Sequence, residues 1–476
     1  MPGRYAKLTK DWMLRGWSDL PRALVNWRTG DRREMKPMGF YVAESCDGRT
    51  DFESFAFLPK HQAMLDLLVA EGVAEECREG DGIEPWQQYR KADNPSLTGI
   101  HWCVTGRCNL KCKHCYMESP TGRYGNLPFS VMAGLVDQFE RANVLEISLT
   151  GGEPFQRRDL LDIIRLLAEK RINLVQIFSN GLLVTDRHLA EIRKIGFCPP
   201  FQISFDGVRA HEQMRGVRGS EQGAIDAIRR LRAAGFPVVV ATSVDQVSLE
   251  GMGETYELMK KLDVQAWRLA APQESGNWRG TTKATPLDQQ AEACERLLER
   301  WLKDGRPFGI QLCAFYSGGR ARKPDADSSA RPAGRRTGAR RGKPSDRPPA
   351  PRYTPESYDC GACREKPNVL PDGTLVPCPG YVDSILQDRM PNLLREELSQ
   401  VWSRSFLRDI ADMKKKDLLA RNPECVNCEL FKECGAGCRV SALIETGELM
   451  AKDPNACENY KKGYKNRFRE LAASAR

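Results

Sequence analysis

The chain has 476 residues, with 72 Lys or Arg against 63 Asp or Glu, and 17 cysteines. No apolar stretch approaches the ~18 residues of a membrane-spanning helix, and M-P-G-R-Y-A-K-L-T-K-D-W holds no hydrophobic export core, so no membrane-spanning helix and a cytoplasmic location are expected. The net charge of +9 does not point to nucleic acid, because Gly318 to Arg352 alone carry 11 Lys or Arg and 3 Asp and leave the rest nearly neutral.

Length alone allows two or three domains. Near the start, Leu24–Trp27, the turn R-T-G-D and Arg32–Met35 predict a β-hairpin, and M-G-F-Y-V-A-E-S is helix-like. K-H-Q-A-M-L-D-L-L-V-A-E, with Met64, Leu65, Leu67, Leu68 and Val69, predicts an amphipathic helix stopped at Gly72, and V-A-E-E-C a short strand after it. This order resembles the small winged-helix peptide-recognition module of ribosomal-peptide biosynthesis, with residues 1–98 as its expected extent. The resemblance implies a client peptide added as a strand to a sheet edge. A structural cap on the next domain is the alternative.

From residue 99 to 312 short β-rich runs alternate with helical stretches. The runs are I-H-W-C-V, L-E-I-S-L, L-V-Q-I-F, F-Q-I-S-F, V-V-V-A-T and V-Q-A-W-R-L, and the helices include Phe129–Ala142, Arg158–Lys170, Glu221–Ala234 and Gln289–Lys303. Near-continuous apolar strands separated by helices mark a parallel α/β sheet. Six such units predict a partial (β/α)6 barrel with its chemistry at the C-terminal strand ends.

Directly after the first of these strands stands C-N-L-K-C-K-H-C, with Cys108, Cys112 and Cys115. Cysteine thiolates normally hold all four irons of a cubane cluster. Three, spaced C-x3-C and C-x2-C, let one loop cover three corners and leave an iron open to chelate a small molecule. A zinc loop with a distant fourth ligand, or three packed cysteines, are the competing readings. Downstream, Gly151-Gly152-Glu153-Pro154 closes L-E-I-S-L-T, Ser179-Asn180-Gly181 follows V-Q-I-F, and Ser204-Phe205-Asp206-Gly207 follows F-Q-I. Each alone is a turn signal. Together and in this order they resemble the radical S-adenosylmethionine (radical SAM) superfamily, whose loop C-x3-C-x-aromatic-C has His114 at its aromatic position here. The resemblance implies a [4Fe–4S] cluster with one open iron and S-adenosyl-L-methionine as cofactor. It places the methionine amino group at Gly151, Gly152, Glu153 and Pro154, and ribose and carboxylate contacts at Ser179, Asn180, Ser204 and Asp206, with Arg215 a further candidate.

Residues 313–356 follow as a basic stretch. Within it, Gly318–Arg352 is rich in Arg, Pro, Gly, Ala and Ser and has only Ala as an apolar residue. Such a segment cannot bury a core and is expected to be a disordered linker. An electrostatic tether for an acidic client is the alternative.

In 357–476, Cys360 and Cys363 precede Gly373 and Cys378; Cys425, Cys428, Cys434 and Cys438 then stand as C-x2-C-x5-C-x3-C, and Cys457 follows. No histidine follows His211, so zinc sites mixing Cys and His are excluded here while all-cysteine zinc stays open. Disulfides fit less well, since the spacing suits metal. The pattern resembles the SPASM extension of radical SAM peptide-modifying enzymes. That resemblance implies two auxiliary [4Fe–4S] clusters, three clusters in all. One would lie on Cys360, Cys363, Cys378 and Cys438, the other on Cys425, Cys428, Cys434 and Cys457. The remaining Cys46, Cys77, Cys103, Cys198, Cys294 and Cys313 read as small buried hydrophobes.

These resemblances imply an enzyme, a maturase acting on a peptide or small-protein client and fed electrons by flavodoxin or ferredoxin. Cleavage of S-adenosylmethionine would yield a radical that takes a hydrogen atom from an unactivated carbon. Sulfatase maturases share the architecture, but the position where they carry a basic Asp, just after the G-x4-C cysteine, is Pro379 here. The nearest resemblance is to the quinohemoprotein amine dehydrogenase maturation proteins, which implies thioether bonds from Cys sulfur to Asp or Glu carbon. Carbon–carbon cross-linking, sulfatase-type oxidation and tetrapyrrole side-chain modification are competing outcomes. A non-catalytic iron–sulfur electron carrier is the competing class.

Overall fold

The computed structural model describes residues 3–280, 285–320 and 353–474. Most of the segment expected as a linker, 313–356, lies outside the described residues.

The first hundred residues build two small sheets around two helices. β1 (Tyr5–Leu8), β2 (Trp12–Gly16), β3 (Ala23–Asn26) and β4 (Asp31–Glu34) precede helices Pro37–Glu44 and Pro59–Ala70, then β5 (Ala74–Cys77) and β6 (Arg90–Lys91). β3 and β4 form the expected hairpin, Ala23 opposite Glu34, and Asn26 Oδ1 accepts the backbone N–H of Arg28 and of Thr29 to set its turn. β1 pairs antiparallel with β5, and the second sheet runs β4-β3-β2-β6. Apolar patterning does not reveal β1 and β2, because Lys7, Lys10, Asp11 and Arg15 interrupt it. Arg15 is nonetheless buried, its guanidinium donating to the carbonyls of Leu14, Gln88 and Trp86. Both helices begin at proline, whose preset φ suits a first turn, and Leu65 and Leu68 of the second enter a core with Leu8, Trp12, Leu24, Phe40 and Phe52.

That module is bonded to the domain behind it. Arg90 Nη2 donates to Glu140 O at 2.7 Å and Asn94 Nδ2 to Ala142 O at 2.7 Å. Asp19 pairs with Arg364 (2.9 Å) and Arg408 (3.2 Å), both from the C-terminal region.

Seven parallel strands follow in chain order: β7 (Gly99–Cys103), β8 (Glu146–Thr150), β9 (Asn173–Ser179), β10 (Phe201–Ser204), β11 (Val238–Ser243), β12 (Ala266–Ala270) and β13 (Gly309–Leu312). Six match the expected runs. The seventh, G-I-Q-L, is too short to show a period, and β14 (Tyr316–Gly318) folds back antiparallel on it, so the sheet continues past the boundary expected at 312. On the opposite edge β15 (Asn368–Val369) joins parallel to β7 and β16 (Leu375–Val376) pairs with it. The C-terminal region thus extends the same sheet, giving ten strands among the described residues.

Alternation along each strand separates two faces. Trp102, Ile147, Leu149 and Ile177 are buried in the main core with Met132, Leu135, Val136 and Phe139 of helix Phe129–Arg141. Trp102 meets Phe139 edge-on at 5.1 Å between centroids. Gln202 lies on the other face, toward the lumen, with the side chains bonded to it. Of the six cysteines read as packing, Cys46, Cys103 and Cys294 are buried and Cys77 and Cys313 partly so. Cys198 departs from that reading: it is exposed, in the turn between helix Asp186–Ile195 and β10.

Candidate active site

The loop after β7 is strapped to its neighbours by backbone hydrogen bonds. Val104 N–H donates to Thr150 O (2.8 Å), Gly152 N–H to Thr105 O (2.7 Å) and Glu153 N–H to Arg107 O (2.8 Å). This close approach needs glycine. A Cβ on Gly151, whose φ is +144°, would lie 2.5 Å from Thr105 O, and one on Gly152 would lie 2.2 Å from Arg107 O. A second strap comes from helix His211–Arg215, where Lys111 N–H donates to Arg215 O and Lys113 N–H to Met214 O. A third strap was not legible in the sequence. Asn277 gives its backbone N–H to Cys115 O (3.0 Å) and its side-chain amide to Cys112 O (3.1 Å).

Each of the three cysteines receives a donor. Leu110 N–H lies 3.4 Å from Cys108 Sγ, Ser119 N–H 3.4 Å from Cys115 Sγ, and Arg215 Nη1 3.6 Å from Cys112 Sγ. Burial pushes the Cys108 thiol up to about 12, and a metal bound there would have to displace its proton. Three thiols on one loop, each with an N–H directed at sulfur, fit the corners of an iron–sulfur cube, whose sulfurs commonly accept such bonds.

The motif residues gather beside this loop in two networks. Pro154 opens the turn Pro154–Gln156, in which Pro154 and Phe155 are buried. The buried Glu153 carboxylate accepts from Ser179 Oγ (2.8 Å), Asn180 N–H (2.7 Å) and Phe155 N–H (3.2 Å), and burial raises it to about 7 despite those bonds. Asn180 Nδ2 in turn donates to Asn109 Oδ1 at 2.8 Å, next to Cys108. In the second network Arg215 clamps Asp206 through Nε (2.6 Å) and Nη2 (3.0 Å), while Ser243 N–H donates to the same carboxylate. Burial acts to raise Asp206, but Arg215 facing it holds it below the usual carboxylate range. Ser204 stands apart from both networks, partly exposed at the end of β10.

The C-terminal cysteines fall into two neighbourhoods. Cys425, Cys428, Cys434 and Cys457 line one cavity with Leu430, Phe431 and Tyr460. Cys360, Cys363, Cys378 and Cys438 lie close enough for the charge of each to be felt by a neighbour in the set. Among the described residues, no three His, Cys, Asp or Glu side chains converge on a single metal ion. Asp383, from the C-terminal region, pairs with Arg123 and Arg279 (both 2.9 Å) and accepts from Gly276 N–H, beside the third strap.

One lumen residue carries a signal that sequence reading missed. Arg268 of β12 donates through Nη1 to Gln202 Oε1 (2.9 Å), which also receives Gln176 Nε2 (3.4 Å). Arg268 is open to solvent. Among the described residues no carboxylate faces it.

Residues 102–259 match the radical SAM superfamily. The chain is 27% identical to an AdoMet-dependent heme synthase from Oleidesulfovibrio alaskensis over 76% of its length and 87% of that protein. It is 24% identical to a PqqA peptide cyclase from Gluconobacter oxydans over 74% of its length and 88% of that protein. Its fold is similar to crystalline Streptococcus suis SuiB bound to precursor peptide SuiA, with a TM-score of 0.65 and 17% identity, over 95% of this chain and all of that one. Since so little of the chain is left out, most of the first hundred residues share that fold. Among the described residues no helix is long and apolar enough to cross a membrane.

Proposed function

We propose that this chain, a radical SAM enzyme by the domain at residues 102–259, cross-links a peptide or small-protein client by joining Cys sulfur to a carbon of Asp or Glu. The SuiB-like fold over nearly all of the chain supports a peptide client, and Arg268 supports one that bears a carboxylate. A guanidinium held at one nitrogen by Gln202 and facing no carboxylate among the described residues offers its remaining N–H groups to a bidentate carboxylate partner. It stands two residues short of the end of β12, about 6.6 Å of strand rise, on the lumen side.

Cys108, Cys112 and Cys115 would hold the [4Fe–4S] cluster with the open iron, and two four-cysteine sets the auxiliary clusters. When bound, these clusters and S-adenosylmethionine supply abstraction of a hydrogen atom and an acceptor for one electron. Each thioether removes one hydrogen atom, one proton and one electron from the client. Gly151, Gly152, Pro154, Ser179, Asn180 and Ser204 border the cofactor. Glu153 and Arg215, already engaged with Asn180 and Asp206, position those neighbours. Residues 1–98 dock the client at a sheet edge, and flavodoxin or ferredoxin serves as donor.

Tetrapyrrole side-chain modification is the second reading, favoured by the heme-synthase relatives, and Arg268 would suit a propionate equally. The SuiB-like fold across the first hundred residues favours a peptide. The test is anaerobic incubation, with S-adenosylmethionine and a reductant, of small Cys- and Asp/Glu-containing polypeptides encoded beside this gene. Loss of two hydrogens per bond, located between Cys and Asp or Glu by mass spectrometry, supports the proposal. Modification of a tetrapyrrole side chain instead would establish the second reading.

A further inference from the structure

A buried ion pair lies between the two C-terminal cysteine sets, and neither fold nor reaction accounts for it. Lys415 has 1% of its side chain exposed and Asp359 4%, and Lys415 Nζ lies 2.6 Å from Asp359 Oδ1. Asp359 directly precedes Cys360 of one set. The same ammonium donates to Gly435 O, directly after Cys434 of the other set. The ring of Tyr353 covers it with its centroid 4.5 Å from Nζ, and Tyr353 is near enough to Cys360 and Cys434 to feel the charge of each. Arg439, beside Cys438, reaches Asp359 at 3.5 Å and is as deeply buried. Two cations therefore meet one carboxylate with water excluded. Asp453 is also buried, but backbone N–H groups of Cys438, Asn455 and Ala456 and the Ser441 hydroxyl satisfy it.

Burying charge is expensive, and a surplus cation needs a negative neighbour. The thiolate sets on either side would supply one, since a cube with four thiolates is anionic and becomes more so on reduction. We infer that Lys415 and Asp359 form a charge bridge that sets the reduction potentials of the two auxiliary clusters and holds their cysteine loops together. The inference rests on reading the eight cysteines as two cluster sites. Lys415 is thus a positioning residue for electron transfer, acting through the clusters rather than on the client.

The sign follows from electrostatics. Removing a positive charge disfavours the more negative reduced state, and removing a negative charge favours it. Potentiometric titration with electron paramagnetic resonance, on anaerobically reconstituted full-length enzyme, separates the possibilities. Lys415→Gln should leave about tenfold less reduced auxiliary cluster at a matched potential, a shift of about 59 mV for one electron. Asp359→Asn should shift it the opposite way, and Lys415→Arg should restore wild-type behaviour. Mere loss of packing would move the Gln and Asn variants alike, and that result, or unchanged potentials with iron content intact, overturns the inference. Wild-type protein without auxiliary-cluster signals overturns the cluster reading and the inference together. If Lys415→Gln fails to incorporate iron, Asp359→Asn decides by the sign of its shift.

Discussion

Glu153 Oε2 accepts the backbone N–H of Asn180 at 2.7 Å, across 27 residues of chain. That bond joins the segments after β8 and β9, and Asn180 passes the order on to Asn109 beside Cys108. Replacing Glu153 with Gln sets an amide against donors that now meet a carboxylate. The expected result is about 1–3 kcal/mol of lost local stability and roughly tenfold weaker S-adenosylmethionine binding by calorimetry, with the iron held by Cys108, Cys112 and Cys115 retained. Unchanged affinity would mean that the bond only braces the loop.

Arg268→Gln should lower client modification at least tenfold, the loss of about 1.4 kcal/mol or more, while leaving uncoupled cleavage of S-adenosylmethionine at the wild-type rate. Arg268→Lys should recover part of it, because an ammonium keeps the charge and loses the bidentate fork. Product analysis of both reactions in one assay separates lumen recognition from damage to the cofactor site.

Anaerobically purified protein should carry about twelve irons, the content of three four-iron cubes. Joint replacement of Cys108, Cys112 and Cys115 by Ala should remove about a third and abolish cofactor cleavage. Replacement of Cys425 and Cys428 should remove another third and leave cleavage. Zinc as the dominant metal would falsify the C-terminal assignment.

Asp19→Asn should separate the N-terminal module from the C-terminal region, since Arg364 and Arg408 lose a shared carboxylate. With Asp19 about a third exposed, solvent screens part of the effect, so about 1–2 kcal/mol is expected. Denaturant titration with limited proteolysis should show earlier release of the module. For the same reason, deleting residues before Asn94 would expose Arg364 and Arg408, and point changes on the module test client docking more cleanly than truncation.

Much of the site was legible because it is local. Cys108, Cys112 and Cys115 share one loop, and the G-G-E-P, S-N-G and S-F-D-G segments each end a strand, so spacing and strand alternation suffice to find them. Asn277, Arg268 and Asp383 were not legible. Each belongs to the site only through contacts with residues far away in the chain, and no short-range pattern marks an Arg in W-R-L or an Asp in Y-V-D as special.

The sequence by itself determined the strand–helix alternation from residue 99, the open-cornered cysteine loop and the C-x2-C-x5-C-x3-C run, because covalent spacing and side-chain period are properties of neighbouring residues. Only the tertiary structure decided that β15 and β16 join the barrel's own sheet, while the grouping of Cys457 with Cys425, Cys428 and Cys434, implied by the resemblance, is seen in the cavity they share. It also decided that Lys415 sits between the two cysteine sets. These are pairings of distant segments, selected by which apolar faces and buried charges can be satisfied at the same time, and that choice exists only once the chain is packed.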